Sequence, residues 1–367
     1  MKKISIVLFL VFCLPLVLTS CATPINLRDR AIVQLMGIDY ENGKYIVHLQ
    51  QYQPSGNEKG AGGGENESEY VSSEGETIFD AIKNAEAKDG NQVFYGHCRL
   101  YIIGNAALKK GVGQVTEFMN SNYQLSLNSS VLAADGKAED ILNAKLFSGI
   151  APNISVESIE GCGKAPNTTV IDLLTTMYNL NGSGVLPLIS LKDKDNAVIE
   201  GCVALKDYKS YITLNDEQTM GLVWLNGKIS DAVLTSEHDG NKLSVGVVSE
   251  STDISLTTDN NKVTVNVKIK AKGNVSENAV ISSKHVNLKQ IQEAEKDVTN
   301  IIEADVRKAF KKIVTEGRTD LFYLLQRLKK ADSELYNKLK DSDDWLSDIT
   351  LNVSADFTVR HSGVGVR

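Results

Sequence analysis

Histidine and cysteine are too few and too scattered in this chain to build the commoner catalytic or metal centres. The five histidines, His48, His97, His238, His285 and His361, include no pair at i,i+4, and no Cys-x-x-Cys pair occurs. His97 and Cys98 are adjacent, but in a strand they would point to opposite faces and could not share an ion. There is no Gly-x-Ser-x-Gly elbow and no Gly-Lys-Ser/Thr ending to a glycine-rich loop, which removes the best-marked routes to acyl and phosphoryl transfer. Carboxylates are plentiful, and a pairing between two of them is not legible in sequence. Aromatic residues are only 6% of the chain, too thin for a stacking platform, and the formal charge of −7 disfavours nucleic acid. Long apolar runs are absent after residue 18, so no later stretch reads as a membrane span.

The single apolar run, Ile4 to Leu18, follows Lys2 and Lys3 and is broken only by Ser5 and Pro15. Its length suits a secretory leader better than a spanning helix. Leu18-Thr19-Ser20-Cys21 then resembles the bacterial lipoprotein box: an aliphatic residue, two small ones that let a peptidase reach the bond, and a cysteine whose thiol accepts a diacylglyceryl group. The expectation is cleavage after residue 20 and lipidation of Cys21, with the formal charge falling to −9 once Lys2 and Lys3 leave. Two acyl chains anchor a protein stably where one does so only marginally. Cys13 departs with the leader. Cys98, Cys162 and Cys202 remain, an odd number at wide spacing, and read as three buried free thiols rather than a disulfide framework. No cofactor and no metal are expected.

Along the remainder, Ala22 to Asp29 reads as a tether, and Ala31–Asp39 and Tyr45–Gln53 as strands joined through Asn42-Gly43, a pair that tolerates the positive φ of a tight hairpin. Pro54 to Ser68 reads as a glycine-rich surface loop. Thr77–Ala87 has helical spacing, with Ile78, Ala81, Ile82 and Ala85 on one face. A strand over Val93–Ile103, a helix over Ala106–Met119 and a strand over Ser129–Ala133 imply a parallel pair with a crossover. A helix capped by Asn167 or Thr168 follows, and Pro187 with Lys192–Asn196 marks a domain boundary. Beyond it, Ile199–Leu205 and Tyr208–Leu214 form a strand pair, and Asn215 caps a helix carrying Trp224. Three more strands precede a long helix over Val286–Glu316, a further one capped by Thr319 or Asp320, and a closing strand with Ile349, Leu351, Val353, Ala355, Phe357 and Val359 alternating. The expected class is α+β and multi-domain, with mixed sheets: a leader over 1–20, an N-terminal region over 21–198 that could split near 150, and a C-terminal domain over 199–367.

In this order the pieces resemble the Ger(x)C lipoproteins. The N-terminal likeness runs through Arg30-Ala31-Ile32-Val33, Gly37-Ile38-Asp39, Tyr45 to Gln50, Gly75-Glu76-Thr77, Ala81-Ile82, His97 and Ile102-Ile103-Gly104. The C-terminal likeness is fuller: Leu205-Lys206-Asp207-Tyr208-Lys209, Leu214, Glu217, Gly221, Leu225-Asn226-Gly227-Lys228, Thr319-Asp320-Leu321-Phe322, Trp345 and Ser362-Gly363. Two stretches depart from the family pattern: Asn120–Asn128 is neutral where the family is usually arginine-rich, and Gly56–Ser68 is unusually rich in glycine. The resemblance implies several α+β domains and a non-catalytic accessory subunit of a nutrient germinant receptor. That subunit would assemble with two multi-pass membrane subunits and sit, through its lipid, on the outer face of the inner spore membrane. The alternative, a solute-binding lipoprotein serving a transporter, needs two doubly wound lobes, whereas this chain groups strands and then helices.

Overall fold

Three tight turns organise the strands. Asn42 and Gly43, Asp207 and Tyr208, and Asn260 and Asn261 all hold positive φ, which matches the right-handed twist of the strands they join. The computed structural model describes residues 30–52, 69–144, 160–192, 197–238, 241–278 and 288–361. The leader, Cys21, the tether and the glycine-rich stretch Gly56–Ser68 lie outside these residues.

The first sheet has nine strands. β1 (Arg30–Glu41) pairs antiparallel with β2 (Lys44–Tyr52), which pairs with β3 (Glu69–Gly75) at one edge. On its other side β1 runs parallel to β4 (Gln92–Phe94) and then to β5 (Leu100–Ile103). β6 (Ser130–Ala134) continues the sheet in parallel, and β7 (Gly184–Leu191), β8 (Ala197–Lys206) and β9 (Lys209–Leu214) complete it. The parallel β5–β6 pair is the one expected from the strand–helix–strand order. The crossover is two helices, α2 (Asn105–Lys110) and α3 (Gly113–Ser121), because Gly111 sits at φ 124 and breaks the run.

One expectation changes here. Val93–Ile103 is not one strand: Tyr95 to Arg99 turn out of the sheet between β4 and β5, leaving His97 exposed and Cys98 buried. Pro187 does not end its strand. It stands inside β7, where a register shift accommodates its missing donor, and the pair β8–β9 hydrogen-bonds onward from it as the far edge of the first sheet. The hydrogen-bond ladder therefore runs straight past residue 198. Cys202, Ala204 and Leu214 of this pair face the second core, while Val203 and Leu205 face the first.

One face of the first sheet carries α1 (Ile78–Asp89), α2, α3 and α5 (Val170–Asn179), and the other carries the short α4 (Ala138–Leu142). Thr77 caps α1 by accepting from the Asp80 N–H, and Thr169, rather than Asn167 or Thr168, caps α5 in a box with Asp172. The second sheet has the order β10 (Val233–His238), β11 (Asn241–Asp259), β12 (Lys262–Asn278), β13 (Thr350–His361). β13 is parallel to β12, so the chain must cross over between them, and α7 (Leu288–Phe310), its π-helical end (Lys311–Glu316), α8 (Leu324–Ala331) and α9 (Ser333–Leu339) make that crossover. Val298, Ile302, Val306, Ala309 and Ile313 are buried, as their spacing requires. α6 (Asp216–Asn226), capped by Asn215, crosses α7 at Gly221, where a Cβ would collide with the backbone of Asp305. The architecture is α+β.

Candidate functional site

Cys21, the one site residue singled out from sequence, lies outside the described residues. Of the polar motif residues within them, Asp39, His48, Gln50 and Thr319 are buried, whereas His97, Asp207, Lys209, Glu217 and Lys228 are exposed. Asp39, at the end of β1, is buried with Nε2 of His48 3.1 Å from its Oδ2. Its two oxygens accept the backbone N–H groups of Ala138 at 2.9 Å and Glu139 at 3.1 Å, at the start of α4. Nδ1 of His48 is 2.8 Å from the Ser72 hydroxyl on β3. Burial pushes the Asp39 carboxyl up, but His48 and the two backbone donors outweigh it and hold it below the ordinary value. Gly104 stands beside this carboxylate, and any side chain there would strike Oδ1. Three separate motifs, Gly37-Ile38-Asp39, the segment around His48, and Ile102-Ile103-Gly104, thus meet in one buried junction.

Asp320 does similar work in the second unit. Its carboxylate accepts from the N–H groups of Phe322, Leu324 and Leu325 at 2.9, 2.9 and 3.0 Å, and so starts α8. Leu321 consequently precedes the helix instead of lying on it, and Tyr323 takes φ 58 to make the turn. The thiols are equally inert in character. Burial pushes Cys98 and Cys202 up to about 12, and Cys162, only half-buried, is raised by burial and by Asp231. Among the described residues no group of three His, Cys, Asp or Glu side chains could hold a metal ion.

The outward-facing feature is a cleft of about 530 Å³ between α1, β4 and α3. Ile78, Val93, Tyr95 and Phe118 form its floor, and Phe118 meets Tyr95 edge-on with ring centroids 6.2 Å apart. Its walls are Phe79, 51% exposed, and Tyr123, 92% exposed. Lys83 on the rim is already paired with Glu86 at 2.6 Å and lies 5.4 Å from the Phe79 ring centroid. Glu117 receives only the Ser121 hydroxyl, at 2.8 Å, and meets no cation among the described residues. Exposed apolar side chains continue beyond the cleft to Leu127 and to Ile171 on α5, whose N–H donates to the Leu127 carbonyl.

Phe79, Glu117 and Tyr123 were not singled out from sequence. Phe79 did carry a signal, since it lies beside Ile78 but off the buried face of α1. Tyr123 sits in the neutral stretch Asn120–Asn128, which departs from the family pattern, yet its neighbour across the cleft is not readable from spacing.

Comparison with known proteins places both units in sequence families. Residues 24–191 match the family described as the spore germination protein N-terminal domain, and residues 200–363 that described as spore germination B3/GerAC like, C-terminal. Spore germination protein B3 of Bacillus subtilis is 22% identical over 99% of this chain and 98% of its own length. Spore germination protein KC of the same organism is 23% identical over 95% and 93%. GerQC of Bacillus cereus is 22% identical over 98% of each chain. The fold resembles the crystal structure of the GerBC protein, with a TM-score of 0.59 at 19% identity over 88% of this chain and 96% of that one.

Proposed function

Because the chain belongs to the Ger(x)C family of spore germination proteins, we propose that it is the C subunit of a nutrient germinant receptor, anchored to the membrane through lipid on Cys21. It acts without chemistry of its own, as a scaffold for two multi-pass membrane subunits, on the outer face of the inner spore membrane. The observation that carries this reading is end-to-end alignment. Relatives named for spore germination match over 98% of their own length in two instances. The inward use of Asp39, His48 and Asp320 supports it as well, since those motif residues are spent on holding the fold. No helix among the described residues is long and apolar enough to cross a membrane, so contact with membrane partners would rely on the tether and on surface patches. A shared membrane raises the effective concentration of partners, and modest surfaces then suffice.

The test is a clean deletion in the spore-forming host. Loss of germination with particular nutrients, and intact germination with agents that bypass receptors, is the expected outcome. Normal nutrient germination, with no second copy of the gene, overturns it.

A further inference from the structure

We infer that the cleft between α1 and α3 is the docking site for one of the membrane subunits, and that it takes an aromatic or branched apolar side chain flanked by a lysine or arginine. This rests on the receptor reading and adds to it the surface and the chemistry of the partner. Three observations point there. Gln92, on the cleft, is the register partner of Arg30 at the beginning of β1. Only eight residues separate Arg30 from Cys21, so even fully extended they hold the cleft's edge within about 30 Å of the lipid anchor. That distance is the upper limit on how far the cleft's edge stands from the membrane surface, within reach of the extramembrane loops of a multi-pass protein.

The second observation is the lining. Phe79 and Tyr123 leave aromatic surface uncovered on both sides of an apolar floor, the arrangement of an interface anchor pocket, in which a few buried aromatics carry most of the binding energy. The third is charge. With Lys83 neutralised by Glu86, the rim keeps one unmatched charge, the carboxylate of Glu117, and this selects a cationic neighbour on the incoming side chain. A bare lipid surface rich in anionic headgroups would meet that carboxylate with repulsion.

The experiment uses the full lipidated chain in spores. A photoreactive residue is introduced as Phe79→p-benzoylphenylalanine or Tyr123→p-benzoylphenylalanine, with Lys270→p-benzoylphenylalanine on the outer face of the second sheet as the control position. Irradiated spore membranes should give an adduct, identified by mass spectrometry as a multi-pass subunit of the same receptor, at positions 79 and 123 and not at 270. Phe79→Asp and Glu117→Lys should each slow nutrient germination at least tenfold while the chain's amount in the membrane stays within twofold. The proposal is overturned if, in membranes where a tag on this chain co-purifies both subunits, positions 79 and 123 give no adduct, or give only lipid or a second copy of this chain. Germination of Phe79→Asp and Glu117→Lys at the parental rate overturns it equally. A deletion strain that germinates normally defeats the receptor reading itself, so the two failures are distinguishable.

Discussion

Nε2 of His48 lies 3.1 Å from the Asp39 carboxylate, with both side chains almost wholly out of solvent, and this contact joins β1, β2, β3 and the start of α4. Removing one member of a buried pair strands the other, which typically costs about 3–5 kcal/mol. Asp39→Asn should therefore lower the urea midpoint substantially without changing the slope. The folded Asp39 pKa is depressed, so its contribution is fully present above the unfolded carboxyl value of about 4 and is lost as pH falls through the lower folded value. The gap between parent and variant should shrink as the pH is taken below about 4. A gap that instead widened in acid would rule out this role for the carboxylate.

Glu250 has the opposite sign. Burial raises its carboxyl to about 7, against the Ile229 N–H and the Thr252 hydroxyl that it accepts. A raised folded pKa means that the folded chain binds the proton more tightly. The stabilisation is full below the unfolded glutamate value of about 4.3 and is lost as pH rises through the folded one. Glu250→Gln keeps an acceptor oxygen and removes the charge, so at pH 8 the variant should be more stable than the parent, by about 1–2 kcal/mol after allowance for partial solvation. Denaturant melts at pH 5 and pH 8 check this; equal stability gaps at both would contradict it.

Trp224 on α6 has no exposed surface, and its Nε1 finds no partner among the described residues. Trp224→Ala should cost about 3–5 kcal/mol through the cavity it leaves. Trp224→Phe should be far milder, because the smaller ring leaves a modest void while deleting a buried donor that itself costs about 1–3 kcal/mol. Thermal unfolding of the chain truncated to start at Ala22 separates the two, and similar losses for both would mean that the indole N–H is satisfied.

Replacing Cys21 by Ala removes the only thiol placed to accept lipid after the small pair Thr19-Ser20. Growth with a radioactive fatty acid should label the parent and leave the variant unlabelled and uncleaved. Label that persists in the variant would exclude the lipoprotein box.

What the chain determined by itself is what depends on neighbours a few residues apart. The Asn42-Gly43 turn, the Asn215 cap and the buried spacing of Val298, Ile302 and Val306 are all of this kind. Each is set by local φ preference, by hydrogen bonds within one turn, or by a 3.6-residue period. Tertiary structure decided the rest, because it depends on which distant segment supplies a partner. Nothing in the sequence of β8 and β9 says that their open edge completes the first sheet rather than the second, since alternation marks a strand but not its neighbour. Asp320 reads as a helix cap from either end of its turn, yet only the fold shows that it gathers three N–H groups and delays the helix to Leu324. Asp39 and His48 are nine residues apart in sequence and meet only because the β1–β2 hairpin brings the strands side by side, with Gly104 from β5's end leaving room. The cleft follows the same rule. Phe79 and Tyr123 become its two walls only when α1 and α3 pack side by side on one face of a sheet whose strands come from both ends of the region.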